Sequence, residues 1–250
     1  MGDVRFCLTL EVKDNEFPIE YASSIMSFIK SAVARCNDGK YYDSFFKDNT
    51  RKDYCFSVIL PKSKFEKDKI ILEGKKIKVV FSTEDSMKTG FILFNAFIGM
   101  KGKEYPLPNG NSMVLTNIAN MKSEVISNSR AIFKTSLGSS LCVREHDRET
   151  NKDKYYVCSD NEFREKLMMV VKNQLIKAGF TQREVDAVVI NPIQMKKVVV
   201  KFYRRYIDAN IGTLEIKANN DILQYFYNSG LGSRKNASFG MLDLVTQDLL

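Results

Sequence analysis

The sequence predicts an α+β fold made of two consecutive β-α-β-β-α-β units. Three observations carry that expectation. Short stretches alternate apolar and polar residues, the mark of half-buried strands, and longer ones space apolar residues three and four apart, the mark of amphipathic helices. The two kinds of stretch follow each other in the same order in both halves of the 250-residue chain. A hydrophobic content of 44% with 11% aromatics gives each half enough apolar surface for its own core.

In the first half, "RFCLTLEV" alternates as a strand. "IEYASSIMSFIKSAVARC" follows Pro18 and sets Ile25, Phe28, Ile29, Ala32 and Val33 on one helical face. "YCFSVIL" is a strand closed by Pro61, and "KIILEGKKIKVVFST" is a pair of strands around a turn at Gly74. Thr83 or Asp85 is placed to cap the helix in "MKTGFILFNAFIG", and "SMVLTNIANMK" is extended. In the second half, "AIFKTS" is a strand and "SLCVREHDRETNKDKYYVC" a hairpin with a polar tip. Asp160 is placed to cap the helix "NEFREKLMMVVKNQLIKAG", whose Phe163, Leu167, Val170, Val171 and Leu175 share a face and whose end is Gly179. "DAVVI", "KKVVVKFYRRY" and "IGTLEIKA" are β-rich, Asp221 opens a short helix ending at Gly230, and "FGMLDLV" is the last strand. Both halves therefore fit the ferredoxin-like (RRM-like) unit. The expected organisation is tandem domains over residues 1–125 and 126–250, joined near 122–130, with a C-terminal glycine-rich loop; the duplication is one of pattern, without residue-level repeats.

Composition narrows the function. No apolar run approaches the roughly 20 residues that span a bilayer, and the alternating N-terminus holds no signal-peptide core, which points to a cytoplasmic protein and to no membrane partner. The five cysteines include no CxxC pair, and the one histidine, His146, sits in a polar hairpin tip, so no metal site or other cofactor is expected. A net charge of +8 suggests an anionic partner, nucleic acid before membrane. No aromatic RRM octapeptide is present.

Basic residues cluster in two places. "KKVVVKFYRRY" carries Lys196, Lys197, Lys201, Arg204 and Arg205 around a strand hairpin, where Tyr203 or Tyr206 can stack a base. "YFYNSGLGSRKNASFGMLDLV" sets Gly230, Gly232 and Gly240 around Arg234 and Lys235, a loop in which glycines permit positive φ and close approach of an anion to backbone N–H groups.

That last stretch resembles the C-terminal glycine-rich signature of the CRISPR-associated repeat-processing endoribonucleases. Gly230, Leu231, Gly232, Phe239 and Gly240 match, and Ser238 stands where the family usually has glycine. "KDYCFSVIL" is similar to the family's Lys-x-Phe-Thr-Phe-Ser strand, and "AIFKT" with the following hairpin resembles bacterial members, without the usual Ser-Pro at Ser136-Leu137. The resemblance implies metal-independent cleavage of CRISPR precursor RNA within its repeats. In that reaction the ribose 2′-OH attacks the neighbouring phosphate and leaves a 2′,3′-cyclic phosphate and a 5′-OH. It implies repeat RNA as partner, and leaves an effector complex and a second copy of the chain open as further partners.

The family's usual histidine aligns with Phe46, and a tyrosine common on the first helix aligns, more loosely, with Ser27. Three readings follow. In the first, a lysine- and tyrosine-based site replaces the histidine: Lys52 matches the family lysine and neutralises the phosphorane, while Tyr42 or Tyr41, Lys47, and Lys30 or Ser27 orient the reacting oxygens. In the second, the chain binds repeat RNA without cutting it. In the third, it is a basic tandem α+β protein with an unrelated partner.

Overall fold

The computed structural model describes residues 4–47 and 53–247. In the first half, strand β1 (Val4–Val12) and the short β2 (Glu16–Pro18) lead into helix α1 (Tyr21–Arg35) and a single turn, α2 (Tyr42–Phe46). Strands β3 (Tyr54–Ile59), β4 (Ser63–Phe65), β5 (Lys69–Leu72) and β6 (Lys76–Thr83) follow, then helix α3 (Thr89–Ile98), β7 (Glu104–Pro106) and β8 (Ser112–Met121). The second half holds β9 (Arg130–Thr135), the hairpin β10 (Val143–Asp147) and β11 (Lys152–Tyr156), helix α4 (Phe163–Ala178) and the short α5 (Gln182–Asp186). Strands β12 (Val189–Phe202) and β13 (Arg205–Lys217), helix α6 (Asn220–Ser229) and strand β14 (Leu242–Thr246) complete it.

The two principal sheets run β3-β6-β1-β8-β7 and β12-β13-β9-β14, with every neighbour antiparallel. Counting the main strands of each half in chain order, both sheets read fourth-first-third-second. That order places each helix in a crossover on one face of its sheet, as in the ferredoxin-like unit. The strands β2, β5 and β4 form a separate small sheet. No helix of the described residues is long and apolar enough to cross a membrane.

Core packing follows the periodicity. α1 buries Ile25, Phe28, Ile29, Ala32 and Val33. Its sheet answers with a run of rings, Phe6 stacked on Phe81 at 5.2 Å and Phe81 against Phe97 of α3 at 5.0 Å. In the second half α4 buries Phe163, Leu167, Val171 and Leu175, with Val170 only partly covered. The helix starts lie elsewhere than the sequence suggests. α3 starts after Lys88, not Thr83 or Asp85, because Thr83 still belongs to β6. α4 starts after Glu162, while the Asp160 carboxylate accepts the N–H of Val157. For α6 the cap is Asn219, whose side chain accepts the N–H of Ile222 at 2.8 Å, and Asp221 lies inside the first turn. In all three places local composition marks a cap, and the chain direction set by the preceding strand or turn moves it.

The halves meet in two ways. The unhelical face of the first sheet covers Cys55 and Val80 with Met241, and the nearly buried Arg5 pairs with Asp243 at 2.7 Å. The β12–β13 hairpin also reaches over the first half, where Phe202 and Ile207 join its core. Its tip is a two-residue turn, Tyr203 at φ 46° and Arg204 at φ 61°. Two-residue hairpin loops of this twist favour Asn-Gly, because positive φ costs a bulky L-residue about 1–2 kcal/mol. The tip is held by backbone: the Tyr203 N–H donates to Ser23 Oγ at 3.3 Å and the Arg204 N–H to Glu20 Oε1 at 2.9 Å.

The glycine loop closes the junction. Gly240 has φ 79°, and a Cβ there would stand 2.3 Å from the Leu231 carbonyl oxygen. The Gly240→Ala variant is therefore expected to lose about 3 kcal/mol or more of stability from overlap and backbone strain together, read from the shift of a urea unfolding midpoint.

Candidate nucleic-acid interface

Burying one side of α1 leaves its polar side, Ser23, Ser24, Ser27 and Lys30, along a groove of about 840 Å³. The opposite wall is Tyr105 and the Pro106–Pro108 segment, and Tyr203 of the hairpin tip stands at the rim. The Tyr105 hydroxyl donates to Ser27 Oγ at 2.8 Å, and its ring meets Phe28 edge-on at 5.3 Å, so buried packing fixes the direction of an exposed hydroxyl pair. Tyr105 is 78 positions from Ser27, and nothing in "GKEYPLP" marks it as a site residue.

The sequence candidates for chemistry separate into three groups. Ser27 and Lys30 line the groove. Lys30 Nζ lies 5.7 Å from the centre of the Phe46 ring, which packs on Tyr42 at 5.0 Å, so Lys30 stands between the groove and the Tyr42–Phe46 pair. Lys47 is exposed and lies 3.8 Å from Asp43, one helical turn back. Lys52 lies outside the described residues. The far end of the groove is acidic, with Asp14, Glu16 and Asp68, and Lys69 pairs with Glu16 there.

The glycine loop differs from the open cradle that its composition suggests. Gly230, Gly232 and Gly240 do adopt positive φ, and Ser238 takes the same left-handed backbone (φ 69°) that a glycine would. Several of the loop's amides, however, already have acceptors within the fold. Leu231 N–H donates to the Gly240 carbonyl at 2.8 Å, Gly232 N–H to Gln174 Oε1 at 2.9 Å, and Gly240 N–H to the Ser140 carbonyl at 2.8 Å. The positive φ serves close backbone packing at the junction. The charges turn inward too. Lys235 is only 8% exposed and lies 5.1 Å from the centre of the Tyr225 ring. Arg234 donates to Asp153 Oδ2 and to the Tyr155 hydroxyl, both at 2.9 Å.

Asp153 is the centre of a cluster that ties the β10–β11 hairpin to that loop. Besides Arg234 it takes Arg144 at 3.1 Å and His146 Nδ1 at 2.8 Å. His146 does not line the α1 groove. Burial alone would raise the Asp153 carboxyl, but the His146 hydrogen bond, the Arg144 charge and hydrogen bond, and the Tyr155 hydroxyl outweigh it and hold the group down at about 2. Burial pushes the thiols of Cys55 and Cys142 up to about 12, so both behave as core atoms. Among the described residues no group of three or more His, Cys, Asp or Glu side chains converges to hold a metal.

The hairpin tip carries the exposed positive charge. Arg204 and Arg205 face solvent beside Tyr203 and Tyr206, which are 54% and 70% exposed. Lys201 is half-buried with its Nζ 6.0 Å from the centre of the Tyr206 ring, and Lys197 pairs with Asp208. On the far side of the tip a second groove, of about 530 Å³, is lined by Phe65, Lys67, Lys201, Tyr206 and Ser139. Ile19 lines both grooves, so they are neighbours across the tip.

The chain is thus a tandem ferredoxin-like protein with a glycine loop at its junction and an aromatic, basic hairpin over its first helix. Residues 120–244 match the family model for "CRISPR associated protein Cas6, C-terminal", half of the chain, and the chain belongs to the Cas6 family. It is similar in structure to the product of a Cas6-related gene from Pyrococcus furiosus, with TM-score 0.79 and 20% identity over 99% of this chain and 100% of that one. It is as similar to a protein described as an RAMP protein binding different RNA substrates, with TM-score 0.79 and 20% identity over 97% of this chain and 100% of that one. A Cas6 product complex follows with TM-score 0.69 and 11% identity, over 97% of this chain and 100% of that one. At these identities the likeness is one of fold. No curated protein matches the chain by sequence.

The Asp153 cluster gives an acid test. A carboxyl held below its unfolded value stabilises the fold above about pH 4 and loses that contribution as pH falls towards about 2. The contribution is on the order of 2 kcal/mol. Urea unfolding of the native chain should weaken across that window, and the Asp153→Asn variant should show a flatter dependence there.

Proposed function

We propose that this chain cuts CRISPR precursor RNA within its repeats, by attack of a ribose 2′-OH on the adjacent phosphate, and yields guide RNAs with 2′,3′-cyclic phosphate ends. The reading is supported by membership of the Cas6 family and carried by one observation: Ser27, Lys30 and the Tyr105 hydroxyl lie along one groove beside Phe46. The RNA supplies its own nucleophile, so the protein must align the attack, stabilise the phosphorane and handle two protons. The Ser27–Tyr105 hydroxyl pair orients the 2′-OH and relays its proton to water, and water returns a proton to the leaving 5′ oxygen. The Lys30 ammonium faces the charge that develops on the non-bridging oxygens, and Lys52, by its match to the family lysine, is the second cation. Tyr42 supports this end through Phe46. No imidazole lies in this groove, so catalysis proceeds without the 10²–10⁴-fold that a well-placed acid–base group contributes.

RNA is held chiefly by the hairpin tip, with Arg204, Arg205 and Lys201 following the phosphates. The glycine-loop residues Gly230, Gly232, Arg234, Lys235 and Gly240 serve binding indirectly, by fixing the second half against the first. A second reading, binding without cleavage, is favoured by the phenyl ring at position 46, which cannot exchange a proton.

The readings separate in one experiment. Repeat RNA incubated with the protein in EDTA should be cut at defined positions with cyclic phosphate ends. The rate should fall about 100-fold in Lys30→Ala and about tenfold in Tyr105→Phe, in line with losing charge stabilisation and one oriented hydroxyl. Intact RNA in a tight complex would establish the binding reading instead, and a lack of preference for repeat RNA would overturn both.

A further inference from the structure

Tyr203 stands at a costly backbone position, and its ring meets the buried Phe202 edge-on at 4.6 Å. Its backbone takes a positive φ that a turn of Asn-Gly type reaches freely, its side chain is half exposed, and the tip is anchored by main-chain N–H groups that any residue would supply. The surface that Phe202 leaves free lines the α1 groove.

The groove is shaped for a flat apolar body. Phe17, Pro18, Leu107 and Tyr105 line it with Tyr203, and its size falls within that of small-ligand clefts. Its far end carries the exposed carboxylates Asp14, Glu16 and Asp68, which repel a phosphate but can accept hydrogen bonds from the amino groups of a base. Positive charge lies elsewhere, on Lys30 along α1 and on Arg204, Arg205 and Lys201 of the hairpin. Apolar surface and carboxylates for bases, with cations set apart from them for phosphates, suit a single strand, because paired and stacked bases offer no free face. Across the tip Tyr206 and Phe65, 70% and 59% exposed, stand ready for the next bases.

We propose that the β12–β13 tip closes the α1 groove over an unpaired nucleobase of the RNA, with Tyr203 as its stacking surface and Tyr206 and Phe65 continuing the track. The substrate is thus read as a single strand beside Ser27 and Lys30, an inference that rests on the RNA reading of this site. Tyr203 is a positioning residue: it fixes the base next to the reacting phosphate and takes no part in proton transfer.

The test uses the full chain and the repeat RNA as a single strand, with 2-aminopurine placed at one position at a time, and the same sequence annealed to its complement. Binding of the native chain should change the fluorescence at one or two positions, and the single strand should bind more tightly than the duplex. Tyr203→Phe should bind as the native chain does. Tyr203→Asn suits the left-handed backbone but gives up the ring contact with Phe202, and should melt within a few degrees of the native chain. It should nevertheless weaken single-strand binding about tenfold with an unchanged salt slope, since stacking and not charge is lost. A Tyr203→Asn variant that binds as tightly as the native chain, or a duplex that binds as tightly as the single strand, would overturn the proposal. Uncut RNA with the Tyr203 effect on binding intact would sink the cleavage reading alone. Normal cutting with unchanged binding by Tyr203→Asn would sink the stacking site alone.

Discussion

Phe202 and Ile207 belong to the second sheet yet are buried in the core of the first half, and much of the molecule depends on that placement. Burying two large apolar side chains contributes several kcal/mol, enough to hold a long two-stranded ribbon over a neighbouring helix. Their burial sets the hairpin tip on the start of α1, where Ser23 and Glu20 accept its two backbone N–H groups. The groove then has walls from both halves: α1 and the Tyr105 segment from one, Tyr203 from the other. A site built in this way is only as rigid as the junction of the halves.

The glycine loop secures that junction from the other side. A glycine-rich, basic stretch reads as an anion site, because small residues and lysines are what such sites need. The same composition also suits a place where two backbones must touch, and here Gly240 and Leu231 do so. Once the backbone packs that closely the neighbouring charges need partners, and they find them in Asp153 and Tyr225. In the proposed reading the loop acts on RNA at one remove, through the rigidity of the surface that the hairpin presents.

Much of the fold was legible because it rests on short-range pattern. The alternation in "RFCLTLEV" and the apolar face from Ile25 to Val33 each predict an element that exists. Helix starts were less legible, since Asp160 and Asp221 are good caps locally and neighbouring residues take that position. Helical position and the family resemblance single out Ser27 and Lys30, and both line the groove. Tyr105 was not legible, because its role comes from a contact 78 positions away. Nor was the inward turn of Arg234 and Lys235, since exposure is a property of the assembled junction and composition carries no record of it. Tyr203 stood out as one of two aromatic residues, and only the backbone geometry separates it from Tyr206.

In the proposed reading RNA occupies the α1 groove under the hairpin tip, with the bond to be cut beside Ser27 and Lys30. Zero-length photocrosslinking tests it most directly, with repeat RNA carrying 4-thiouridine near the cleavage position and the attached peptides identified by mass spectrometry. The account predicts attachment to the peptide containing Ser27 and Lys30 and to the one containing Tyr203. Attachment confined to the β10–β11 hairpin or to α4, with neither of those peptides labelled, would contradict it.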